Sequence, residues 1–487
     1  MSFVSVTSLS RLTPGASGPG AFRSNIGKSA FHFSFNGRDY IHAPATGTFV
    51  KLSGEMLKIL KAFDGKSTPP HCGGADFTQL LKILAAAGVL EAEGRSTKAT
   101  PVIPEIIPTF AVLPATSCQL KCIYCYSASC APGRGIFVDR KVFDRYIEEC
   151  LAKFFPVASK ANLLLHGGGE PTLDRELFKY LVTEFENRCG NVWMEPGFFM
   201  TSNGMFTDEL CDFIIEHKIR CQISLDGPED IHDAQRPARS GEPGYRRVEK
   251  NIKRLAAGGI EVSIRSTVTS ASVSRMADTV DLARELGAGL VHFSRLKNTG
   301  RAHSSGIAGP DNREYEEGFA EAFERSLSHE IAIKAEGTYC VRTNGRNIYC
   351  GACGSNMILS SAGYLTACTE VQDPSEPGAD CFIIGRVDPN DENSLMENGQ
   401  RFALARRTSD SMNGCTDCFL KYSCAGECPA MILNLTGDLY GHSDEVCDAV
   451  KRMNARVIET LCDRSRGPVR LVSGELVEPF KHEYRSE

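Results

Sequence analysis

The chain has 487 residues, 42% of them apolar, a formal net charge of −6 and a pI near 6.1. That length exceeds one compact core and points to roughly three domains, and the mild acidity excludes a global electrostatic attraction to nucleic acid or to an anionic membrane. No stretch approaches the roughly 18 unbroken apolar residues of a membrane span, and the start lacks the compact apolar segment of a secretory signal.

Residues 1–28 are expected to be a disordered tail, although a Ser-rich start with no acid before Asp39 also fits an organelle transit peptide. FHFSFNGRDYIHAPATGTFVKLS (31–53) predicts two or three short strands with turns at NGRD and PATG. EMLKILKAF and FTQLLKILAAAGVLEAE follow with helical apolar spacing. Together they suggest a winged-helix-like domain over 29–97, and the Pro-containing segment 98–108 a linker.

From 109 to about 298, apolar runs (TFAVLPA, ANLLLHGGG, GFFMTSNG, RCQISLDG, EVSIRSTVT, LVHFSRL) alternate with amphipathic helical stretches such as RKVFDRYIEECLAKFF. Such alternation means parallel strands joined by crossover helices. Six units fall short of a full barrel, so 109–335 reads as a partial (β/α)6 barrel with its chemistry at the C-terminal strand ends. Residues 336–465 are cysteine-dense and loop-rich, a composition that relies on metal to define its fold. Residues 466–487 read as a C-terminal tail.

Twenty cysteines with no export signal point to reduced thiols in a cytoplasmic protein. Cys72, Cys130, Cys150, Cys189, Cys211, Cys221 and Cys462 are scattered and read as small buried hydrophobes. CQLKCIYCY (118–126), by contrast, places Cys118, Cys122 and Cys125 on one loop after the first barrel strand. Four-iron clusters are normally held by four thiolates, so three leave one iron to bind a reactant.

This loop, with Tyr124 before its third cysteine, resembles the signature of the radical S-adenosylmethionine (SAM) enzymes. The resemblance implies that the fourth iron chelates SAM, which a reduced cluster splits to a 5′-deoxyadenosyl radical. HGGGEP (166–171) resembles the family's GGE motif, which puts Gly168, Gly169 and Glu170 at the methionine amino group. By position Ser224 is a candidate for the ribose or carboxylate and Arg265 for the carboxylate, both equally readable as rim salt-bridge residues. Asn203 reads as a family feature or a turn residue, and Asp233 and Arg236 read as structural partners.

The later cysteines resemble the SPASM extension, which binds auxiliary iron–sulfur clusters. Carried over by position, Cys415, Cys418, Cys424 and Cys447 would hold one cluster, and Cys428, Cys368 and one or both of Cys350 and Cys353 the other, with Cys340 a weaker candidate. The resemblance therefore implies three 4Fe-4S clusters, SAM, and a reductant such as flavodoxin or ferredoxin. The front domain resembles the recognition element of peptide-maturing radical enzymes, in which an edge strand takes a substrate segment by strand addition. A peptide or small-protein substrate and thioether formation are expected, as in maturases of the six-cysteine-peptide and quinohemoprotein-amine-dehydrogenase types. Carbon–carbon crosslinking, epimerisation, formylglycine formation and a non-catalytic electron carrier are the rival readings.

Overall fold

The computed structural model describes residues 22–63, 81, 84–85, 88–92, 107–127, 133, 135–154, 157–298, 300–340, 346–390, 399–464, 469–472 and 475–477. Most of the expected second helix of the front region, the linker up to 106, Cys72 and Cys130 lie outside these residues.

Strand β1 (Phe22–Ser24) lies within the segment expected to be a disordered tail, and it pairs antiparallel with β5 (Leu90–Ala92). Between them β2 (Phe31–Phe35), β3 (Arg38–Ala43) and β4 (Thr48–Leu52) form an antiparallel meander. The NGRD turn works because Asn36 and Gly37 both adopt positive φ, 49° and 71°, the two-residue turn whose twist matches that of its flanking strands. Ser53 then caps helix Gly54–Lys61 by accepting a hydrogen bond from the Met56 amide at 3.2 Å.

The central sheet begins with β6 (Thr109–Val112), β7 (Lys160–Leu165), β8 (Glu195–Ser202), β9 (Arg220–Ser224), β10 (Val262–Val268) and β11 (Leu290–Arg295). These are the six expected runs, parallel and adjacent in chain order. Helices Arg140–Phe154, Arg175–Asn191 and Met276–Leu286 occupy three of the crossovers. Burial alternates strictly along β10, so that one face enters the helix-covered core while the polar residues between face the barrel interior. Cys150, Cys189, Cys211, Cys221 and Cys462 are all buried.

Three expectations need correction. A seventh parallel strand, β12 (Ala332–Ala335), follows β11, so the barrel has one unit more than the six expected; the four residues AIKA are too short to stand out as a repeat. Nor does the sheet stop at 335. β13 (Ile358–Leu359) pairs parallel with β6, and β14 (Tyr364–Thr366) and β15 (Ile383–Arg386) continue it antiparallel, making ten strands that join the barrel to the cysteine-dense part. The expected C-terminal tail contains β16 (Val469–Val472) and β17 (Glu475–Val477), a hairpin laid antiparallel on β4.

His42 on β3 and His232 are fully buried, and burial pushes each imidazole down to about 4. Their folded values lie below the unfolded value of about 6.5, so the unfolded chain takes up protons first as pH falls, and stability is lost from about pH 6.5 down to about 4. At pH 5 this amounts to about 2 kcal/mol per histidine. Thermal unfolding followed from pH 7.5 to 5 is expected to show a falling midpoint, with a shallower fall for His232→Met.

Candidate functional site: a cysteine loop at the strand ends

The C-terminal ends of the parallel strands open on a cavity of about 220 Å³. Its wall includes Cys118, Cys122 and Cys125, the glycines 167–169, Glu170, Ser224 and Arg265. Every residue singled out in the first barrel loop and at the SAM contacts therefore reaches one space. Ser224 and Arg265 are register partners on β9 and β10, and the Arg265 side chain has no ion pair among the described residues, which leaves its guanidinium for an anionic ligand.

The cysteine loop is held by backbone as much as by side chains. Lys121 and Ile123 amides donate to the carbonyls of Pro237 and Gln235 at 2.8 and 3.0 Å, and the Arg239 amide donates to Gln119 O at 2.9 Å. Arg239 Nε donates to Cys118 O at 3.0 Å and Arg301 Nη1 to Cys122 O at 2.7 Å. These two arginines, one in a turn and one at the start of helix Arg301–Ser305, were missed in the sequence, which carries no signal of their targets.

Beneath the loop lies a buried ionic network. Tyr124 OH donates to Asp226 Oδ2, Arg236 Nη2 reaches Oδ1 at 2.9 Å, Gln235 Nε2 donates to Oδ2 at 2.9 Å and the Thr267 amide to Oδ1 at 2.9 Å. Burial pushes the Asp226 carboxyl up, but the Arg236 guanidinium and the hydrogen bonds outweigh it and hold it below the usual carboxylate range. Arg236 is thus a structural partner as expected, though of Asp226; Asp233 instead accepts from the Gly244 and Tyr245 amides, both at 2.9 Å. Asp226, two residues beyond Ser224 in the same strand-end motif, was overlooked.

The glycine loop packs against the cysteine loop. A Cβ on Gly169 would lie 2.1 Å from the backbone oxygen of Ser117, so that position excludes a side chain by close approach, while one on Gly168 would lie 2.1 Å from Oε1 at the movable end of the Gln372 side chain. Glu170 is 2% exposed. Its Oε1 accepts from Thr172 N, Thr172 Oγ1 and Ser202 Oγ at 3.1, 2.6 and 2.7 Å, and Oε2 from Asn203 N at 2.8 Å. Burial pushes its carboxyl up against these four bonds, and Oε2 retains capacity for one further donor.

The three loop thiols are not joined in a disulfide. Burial raises Cys118 to about 12 and Cys122 to about 11, so a bare thiolate is disfavoured and a bound cation is what makes ionisation favourable. Leu120 N and Asn203 Nδ2 lie 3.4 and 3.5 Å from Cys118 Sγ, donors of the kind that tune cluster sulfur. Among the described residues no three His, Cys, Asp or Glu side chains are placed to hold one metal ion.

Residues 112–286 match the Radical SAM superfamily. The chain contains a radical SAM domain. The family implies a 4Fe-4S cluster and SAM, and the thiols and cavity described above fit both. The chain is 23% identical over 367 residues to the serine-type anaerobic sulfatase-maturating enzyme of Klebsiella aerogenes, covering 72% of this chain and 85% of that enzyme. In fold, the radical SAM domain and its flanks are similar to anSMEcpe with bound AdoMet (TM-score 0.60, 16% identity, 74% of this chain and 96% of that one). They are also similar to Streptococcus suis SuiB bound to precursor peptide SuiA (TM-score 0.52, 13% identity, 86% and 98%).

Seven of the later cysteines fall into two neighbourhoods. Cys415, Cys418, Cys424 and Cys447 line a small cavity with His442 and Glu427 and influence one another's ionisation. Cys350, Cys368 and Cys428 are mutually coupled in the same way. Cys353 is buried one turn from Cys350, its amide donating to Cys350 O at 3.0 Å. The Cys340 thiol lies against Asn454 O at 3.9 Å. Between the two sets, Glu427 accepts hydrogen bonds from Tyr339 OH and, at 3.1 Å, from the Cys428 amide. No helix among the described residues is long and apolar enough to cross a membrane.

Proposed function

We propose that this protein is a radical SAM maturase of a peptide or small protein, forming a thioether between a substrate cysteine sulfur and a carbon of another residue. The observation that carries the reading is the presence of two further thiol sets, Cys350/Cys368/Cys428 and Cys415/Cys418/Cys424/Cys447, the first adjoining the cavity wall at Thr369 and Glu370. When bound, the loop cluster and SAM supply a 5′-deoxyadenosyl radical that takes one hydrogen atom from a substrate carbon. Joining sulfur to that carbon would release a proton and one electron, and iron–sulfur clusters held by the auxiliary thiol sets would supply an acceptor for that electron.

The chain's own residues do the positioning. Cys118, Cys122 and Cys125 would hold the SAM-binding cluster, Arg265 the SAM carboxylate, and Glu170 with the Gly168–Gly169 backbone the methionine amino group. Ser224 would meet the ribose or the carboxylate. Cys350, Cys353, Cys368, Cys415, Cys418, Cys424, Cys428 and Cys447 would hold the auxiliary clusters, inside the SPASM-like part. The winged-helix-like front would present the substrate segment, and a flavodoxin or ferredoxin would supply electrons. Incubating reconstituted protein with SAM, dithionite and a cysteine-bearing candidate peptide is expected to give a product lighter by two hydrogens whose thiol no longer alkylates. Unchanged mass with a retained thiol would count against thioether formation.

The sulfatase-maturating relative favours a second reading, formylglycine formation. That product carries an aldehyde, so capture by a hydrazine reagent separates the two: the thioether reading expects none.

A further inference from the structure

Two residues beyond the end of β11, Lys297 stands at the cavity wall with Glu336, Thr369 and Glu370. Its Nζ donates to Glu370 Oε1 at 2.6 Å, with the two side chains 29% and 31% exposed. Glu370 belongs to the segment that carries Cys368, so the ion pair ties a barrel strand end to the Cys350/Cys368/Cys428 set. Burial alone would push the ammonium down, but Glu336, Glu370 and Cys428 together push it up and keep it charged. Lys297 thus stands at once on the cavity wall and against Glu370, two residues from Cys368.

We propose that Lys297 is a positioning residue for electron acceptance: its ammonium, fixed by Glu370 between the cavity and the Cys350/Cys368/Cys428 set, raises the reduction potential of the iron–sulfur cluster held there. The inference rests on the auxiliary-cluster reading above. Each one-electron reduction adds a negative charge to the cluster, and net charge, burial and nearby hydrogen bonding are what set such potentials. A partly buried pair is screened less than a surface one. Removing the ammonium leaves Glu336 and Glu370 facing the cluster without their counter-charge, which disfavours the reduced form. Removing the charge of Glu370 acts in the opposite direction.

The test is a redox titration followed by electron paramagnetic resonance, with dithionite as reductant, on the anaerobically reconstituted full chain. The signal of this cluster is assigned by its loss in Cys428→Ser. In Lys297→Met the reduced-to-oxidised ratio of this cluster at a fixed potential is expected to fall at least tenfold, equivalent to about 59 mV for one electron. The other signals stay in place, Lys297→Arg recovers most of the loss, and Glu370→Gln shifts the ratio upward. A Lys297→Met protein that retains the cluster at unchanged potential overturns the inference while leaving the auxiliary reading intact. Should Lys297→Met lose the cluster, Glu370→Gln decides, and no upward shift overturns it. Wild-type iron near four rather than about twelve per chain would remove the auxiliary reading itself, and the inference with it.

Discussion

Cys122→Ala is expected to abolish SAM cleavage. With two thiolates left, the loop cannot hold a four-iron cluster, so iron per reconstituted chain should drop by about four, and 5′-deoxyadenosine formation should fall to the level of buffer. The effect follows from placement: Cys118, Cys122 and Cys125 share one cavity wall, while Arg301 and Arg239 fix the carbonyls of two of them. Cys221→Ala is the matched control, because that thiol is buried on β9 and away from the cavity wall; it should keep the iron and the product.

Asp226→Ala is the second large effect, and it falls on stability. The Asp226 side chain is fully buried and that of Arg236 is 8% exposed, so truncating the carboxylate strands a guanidinium in the core. Breaking a buried pair in this way costs about 3–5 kcal/mol. Tyr124 loses its acceptor and the Thr267 amide its partner in the same step. Chemical denaturation should show that loss, while Asp226→Asn, which keeps an oxygen acceptor, should lose less. Since Tyr124 sits between Cys122 and Cys125, the alanine variant should also lose loop iron more readily on exposure to a chelator.

How these sites were legible in the sequence depends on the range of the interaction. The six long strands announced themselves because each is an apolar run set between amphipathic helices, and their ends carried the motifs HGGGEP, TSNG and ISLDGP that the fold brings to one cavity. Thiol spacing was similarly informative, since three cysteines within eight positions have few other uses. β12 and β13 were not legible: four and two residues give too little periodicity, and β13 finds its partner β6 almost 250 residues earlier. The hairpin β16–β17 was invisible for the same reason, because nothing local says that it pairs with β4.

The polar supports divide in the same way. Asp226 was within reach, as an acid in a strand-end motif followed ten residues later by an arginine, yet attention to Ser224 passed over it. Arg239, Arg301 and Lys297 carried no comparable signal. Their targets are backbone carbonyls or a carboxylate 73 residues away, and such long-range partners are fixed only by the fold. The glycines of HGGGEP were placed at the methionine amino group from the motif; that a Cβ at Gly168 or Gly169 would meet Gln372 or Ser117 is a long-range fact only the fold shows.

The most direct measurement is product formation from SAM alone. Protein reconstituted anaerobically with iron and sulfide, reduced by dithionite and given SAM, is expected to release 5′-deoxyadenosine and methionine in equal amounts, and Cys122→Ala none. Iron-loaded wild-type protein that binds SAM yet releases no 5′-deoxyadenosine, with or without a peptide, would contradict the account.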